Sequence, residues 1–91
     1  MYVGAAVNCS GIPSAVKMGE YGLQEAYIIT TINGKDYRLG KFDDDGAKIR
    51  LSIAQSALLA EKEVVLRFYD EVSCDNASTN KTIPNSTQLV H

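Results

Sequence analysis

Apolar residues at every second position open the chain. In "YVGAAVNC", residues 2–9, Val3, Ala5, Val7 and Cys9 fall on one face of an extended segment. "SGIPSAVKMGEYGLQE", residues 10–25, breaks that alternation, and its glycines and Pro13 predict a long loop with room for a short strand at Ala15–Met18. "AYIITTI", residues 26–32, is rich in β-branched side chains and predicts a strand. Asn33-Gly34 follows, a pair suited to the positive φ that both positions of a type I′ turn require, so "KDYRLGKF", residues 35–42, is the antiparallel return strand.

The period then changes. Ile49, Ile53, Ala57 and Ala60 recur at helical spacing, and Ala54 and Leu58 widen the same face. Aspartates at 43–45 supply an N-cap and negative charge at the positive end of the helix, which places it over residues 46–61. "EVVLRFY" returns to a period of two, with Val64, Leu66 and Phe68 on one face and Val65, Arg67 and Tyr69 on the other. The polar run Asp75–Thr87 reads as a loop, and "STQLV", residues 86–90, as a short last strand.

Strand, strand, hairpin strand, helix, strand, strand is the order of a mainly β (α+β), five-stranded OB-like barrel with one α-helix between strands 3 and 4. An α+β sandwich with one helix on a meander gives a similar pattern. Ninety-one residues make one domain, residues 1–91. A chain of this size buries only about 60–65 % of its unfolded surface, so a crosslink or self-association would add needed stability.

Charge narrows the partners. The net charge is −2 and the lysines and arginines are scattered, which argues against a nucleic-acid partner. No apolar run reaches the ~20 residues of a membrane span. Met1-Tyr2-Val3 is not the start of a signal peptide, which leaves a cytosolic chain or a secreted or periplasmic one beginning at its mature end behind an added Met1.

The two cysteines bear on that choice. In the barrel, Cys9 on the first strand and Cys74 just past the fourth lie on neighbouring strands, close enough for a disulfide and hence an oxidising compartment. The other reading is two unpaired thiols in a cytosolic protein. Two distant cysteines and the terminal His91 make no zinc pattern, and no cofactor is expected. "FDDDGAK" lacks the alternating acids and the distal Glu of a calcium loop, so helix capping explains it. N-x-[ST] sequons at Asn8, Asn76, Asn80 and Asn85 would predict glycans in a eukaryotic secreted protein, and polar turn and loop composition is the simpler explanation. No cysteine has a neighbouring base, Ser52 and Ser56 are helix-surface residues, and the expectation is that the protein is not an enzyme. Five tyrosines, at 2, 21, 27, 37 and 69, and no tryptophan suit interfaces and sugars, and equally suit core packing.

"SIAQSALLAEKEVVLRFYDEVSC", residues 52–74, resembles the helix-plus-strand segment of B subunits of AB-type bacterial toxins, in the subtilase-cytotoxin and pertussis-like branch, and of small secreted bacterial proteins with the same ending. In those B subunits an alanine-rich helix is followed by a polar turn and a V-R-[IL]-x-Y-[DE] strand. The resemblance implies a homopentameric ring that binds sialylated or related cell-surface glycans, with Tyr69 in the sugar-contacting position. The mid-chain disulfide usual in those subunits is missing here, and a Cys9–Cys74 bridge is more similar to the cholera-type arrangement. The expectation is a non-enzymatic secreted or periplasmic module binding a glycan or protein receptor, with Tyr69 as its ligand residue. The alternatives are a structural or interaction protein of the cell envelope without a glycan site, or a cytosolic α+β interaction protein.

Overall fold

The computed structural model describes residues 6–19 and 26–90. Six strands and two helices follow in order: β1 (Val7–Gly11), β2 (Pro13–Met18), β3 (Tyr27–Ile32), β4 (Lys35–Lys41), α1 (Asp45–Ala60), β5 (Glu63–Phe68), α2 (Cys74–Asn80) and β6 (Ser86–Val90). They form two three-stranded antiparallel sheets, ordered β1–β5–β6 and β2–β3–β4. Val3 and Ala5 of the expected first strand, Tyr2, Tyr21 and His91 lie outside the described residues.

This architecture corrects the five-stranded barrel with one helix. Strands β1 and β2 are separated only by Ile12, yet they join different ladders. Val7–Gly11 pairs with Phe68–Val64 of β5, while β2 pairs with β3 across a register shift between Pro13 and Ala15. Proline has no N–H to donate, so the ladder changes partner where Pro13 enters. The short strand allowed at Ala15–Met18 is present as β2, starting at Pro13, and it belongs to a different sheet from β1. The last strands of the two orders, β4 and β6, are joined by no ladder among the described residues, so no ring of pairing closes.

The crossing between sheets is tight. A Cβ on Gly11 would stand 2.7 Å from Ile32 Cγ2, so only glycine lets the chain pass that side chain. Asn33 Nδ2 donates to the Ser10 carbonyl at 3.1 Å and ties the tip of the β3–β4 hairpin to β1. That tip has the expected geometry, with φ of 53° at Asn33 and 78° at Gly34 and Ile32 paired with Lys35.

Helix α1 begins as its aspartates predict. Asp44 is the N-cap and its carboxylate accepts the Ala47 N–H at 2.9 Å. Asp44→Ala is expected to cost about 1 kcal/mol of stability in a urea titration, the usual loss for a helix cap. The expected face is met in part: Ala54 and Ala57 lie on it and Ile53 packs against the core, but Ile49 and Ala60 are exposed and Ala47 takes an inward place. Ala47, Ala54 and Ala57 are fully buried, whereas Ile49 is 64 % and Leu59 83 % exposed. Periodicity finds the middle of the buried face and misses its first turn, where Ala47 rather than Ile49 goes inward. The deciding contact is close approach: Gly40 in β4 has a φ of 134°, and a Cβ there would meet Ala47 Cβ at 2.7 Å. Arg50 Nη1 holds the same junction by donating to the Leu39 carbonyl at 2.9 Å.

The second helix replaces part of the expected loop. Ser73 is its N-cap, accepting the Asn76 N–H at 3.1 Å, and Ala77 is buried against the core. Polar composition hid it because one small residue does the burying. Between the sheets and α1 lie Val64, Leu66, Phe68, Leu39 and Ile32, all at or near zero exposure. The Tyr37 and Phe68 rings stack at 5.9 Å. Burial pushes the Tyr37 phenol up, with the nearby Asp75 charge acting in the same direction.

Candidate functional site

The alternation in β5 builds the site. Val64, Leu66 and Phe68 face the core, so Val65 and Arg67 face outward, and Tyr69, just past the end of the strand, is exposed beside Arg67. Register then sets their neighbours. Arg67 lies opposite Asn8 of β1 on one side and Ser86 of β6 on the other. The row Asn8–Arg67–Ser86 therefore crosses all three strands on the outer face, with Tyr69 at its end.

Hydrogen bonds fix this row. Arg67 Nη1 donates to Asn8 Oδ1 at 2.9 Å, and its guanidinium carbon is 5.6 Å from the centre of the Tyr69 ring. The Tyr69 N–H donates to Asn85 Oδ1 at 3.0 Å, while the Asn85 N–H donates to the Arg67 carbonyl at 2.8 Å. The backbone under Tyr69 is thus held by a reciprocal pair, and the residue remains 49 % exposed. Chemically the arrangement offers an apolar ring face, a permanently charged guanidinium with planar donors, and neighbouring amide and hydroxyl groups.

Two further devices brace it from behind. The Cys9–Cys74 disulfide, with Cα atoms 5.7 Å apart, ties β1 to the start of α2. Cys9 adjoins Asn8, so the bridge also fixes one end of the polar row. The buried Glu71 carboxylate accepts from Asn80 Nδ2 at 3.2 Å and from the Thr82 hydroxyl, closing the segment between Tyr69 and Asn85 around α2. Both cysteines are used in the bridge and no free thiol exists.

Of the tyrosines, Tyr37 is core and Tyr27 lies under the Arg38 guanidinium, 3.6 Å from its ring centre, on the outer side of the other sheet. That second face carries its own closed network: Lys17 Nζ contacts Asp36 Oδ2 at 3.1 Å and the Thr31 hydroxyl donates to Asp36 Oδ1 at 2.6 Å. The Thr31 hydroxyl, with help from Lys17, holds the Asp36 carboxyl below the usual carboxylate range. A groove of about 230 Å³ runs between α1 and the β2–β3 hairpin, lined by Val16, Lys17, Met18, Ile28, Leu51 and Gln55. None of its lining residues belongs to β1, β5 or β6. Among the described residues no three His, Cys, Asp or Glu side chains converge as metal ligands do. No helix among them is long and apolar enough to cross a membrane.

Sequence reading picks out Tyr69 and the two cysteines, and the structure joins the cysteines and places Tyr69 on the outer face. It does not pick out Asn8, Asn85 or Ser86. Asn8 and Asn85 stand out in the chain only as sequons, and their roles depend on strand register and on the path around α2. Comparison with protein-family models, with curated proteins and with solved structures finds no match.

Proposed function

We propose that this chain is a non-enzymatic binding module of an oxidising compartment, secreted or periplasmic, whose outer β1–β5–β6 face takes a cell-surface glycan. One observation carries the reading: an exposed tyrosine ring stands beside an arginine, on a backbone fixed by hydrogen bonds. Sugars present an apolar face of C–H groups ringed by hydroxyls, and a ring flanked by planar donors complements both parts. A preformed platform also avoids the cost of ordering side chains at binding. The disulfide supports the compartment, since such bridges persist where the surroundings oxidise. The loose resemblance of residues 52–74 to toxin B subunits points the same way and puts Tyr69 at the contact.

The test is a glycan array followed by titration of the best ligand. Wild type should bind a defined set of glycans, and Tyr69→Ala and Arg67→Ala should each weaken binding by about tenfold or more, a loss of ~1.4 kcal/mol. Tyr69→Phe should keep part of the affinity because the ring remains. An array without hits, or equal affinity in all three variants, removes this reading. A second reading, an interaction protein without a glycan site, rests on the exposed face of α1, where Ile49 and Leu59 stand out and no charge occurs from Leu51 to Ala60.

A further inference from the structure

Strands at sheet edges normally carry features that stop them pairing with another chain. Edge strand β2 has Pro13, Lys17 and a register shift. Edge strand β4 carries Lys35, Asp36, Arg38 and Lys41, and its ladder is also shifted. Edge strand β1 is bridged to α2 through Cys9. Strand β6 has none of these. Ser86-Thr87-Gln88-Leu89-Val90 holds no charge and no proline, and its register against β5 is unbroken from Arg67↔Ser86 to Glu63↔Val90. No strand pairs with its other side among the described residues.

Leu89 gives a second, independent sign. It lies opposite Val64, which is fully buried, so it belongs to the core face of the sheet. Even so it is 42 % exposed. The inner face of the sheet thus ends at β6 on an apolar side chain standing half in water. Helix α1 packs against β6, and its last turn carries Leu59, 83 % exposed, just ahead of β5, whose Glu63 faces Val90. The same end of the molecule therefore shows two uncovered leucines.

We propose that β6 is a pairing edge and that its occupant is a second copy of this chain. The two β6 strands run antiparallel about a two-fold axis and join the two β1–β5–β6 sheets into one of six strands. A strand without charges can face itself with no like charges opposed. The guarded β2 and β4 edges disfavour a head-to-tail arrangement, which leaves the closed two-fold pair. A strand of five residues is too short by itself to bury the ~800 Å² per partner of a stable interface. The exposed side of the C-terminal half of α1, uncharged from Leu51 to Ala60 and carrying Leu59, supplies the remaining area. Pairing at the edge leaves the outer face with Tyr69 open on both copies, and the proposal does not depend on what that face binds.

In this register Gln88, at the centre of β6, faces its own counterpart. Light scattering on the full chain should give twice the mass of one chain. Gln88→Lys and Gln88→Glu each place like charges opposite one another at an exposed position, so each alone should be monomeric with an unchanged far-ultraviolet circular dichroism spectrum. Mixing the two variants should restore the two-chain mass. A monomeric wild type, a mass of five chains, a Gln88→Lys protein that stays dimeric or a mixture that stays monomeric would each overturn the proposal.

Discussion

Replacing both cysteines, as Cys9→Ala with Cys74→Ala, is expected to lower the free energy of unfolding by about 4 kcal/mol, the chain-entropy value for a bridge of this span. The bridge links residues 65 apart, so in the unfolded chain it restrains most of the sequence. It also does local work: it anchors α2, whose single buried residue is Ala77, against β1. For a small domain with a total stability of roughly 5–10 kcal/mol, the loss is a large share. In thermal unfolding it corresponds to a fall of about 15–30 °C in Tm. A double variant melting within a few degrees of wild type would show that the two sheets hold β1 without the bridge.

Phe68→Ala should cost a comparable amount, about 3–5 kcal/mol, as expected for a large buried aromatic. Phe68 is fully buried, stacks on Tyr37 and pairs with Val7 across the β1–β5 ladder. Its removal opens a cavity that its ladder neighbour Val7 cannot fill without breaking register. The neighbouring Tyr69→Ala should cost under about 0.5 kcal/mol in the same urea titration, the usual range for a surface substitution. This contrast between adjacent residues checks directly which side of β5 faces the core. Similar losses for both would mean that Tyr69 is packed and cannot serve as a free platform.

Much of the local structure was readable along the chain because local chemistry decides it. The Asn33-Gly34 turn, the Asp44 cap, the alternation of β5 and the span of β6 each follow from a few adjacent residues. What escaped depends on contacts distant in sequence. The short strand at Ala15–Met18 could be read, but nothing local says that the chain changes sheets at Gly11–Pro13. The inward place of Ala47 at the start of α1 goes with Gly40 in another strand, whose missing side chain leaves room for the Ala47 methyl. In the candidate site, Arg67 and Tyr69 come from the same short stretch of chain. Asn8 comes from 59 residues away and Asn85 from beyond a helix that polar composition concealed. A short polar helix closed by a buried Glu71 has almost no periodic signal, since its order comes from side-chain hydrogen bonds and a crosslink.

The binding face itself can be located by a single titration. Two-dimensional amide NMR of the labelled protein, recorded while a soluble glycan from the array is added, reports each backbone N–H separately. The expected shifts fall on Asn8, Arg67, Tyr69, Asn85 and Ser86, the residues that share or support the outer row of β1–β5–β6. Shifts confined to Val16, Met18, Ile28, Leu51 and Gln55 would place the ligand in the groove beside α1 and contradict the assignment of Tyr69.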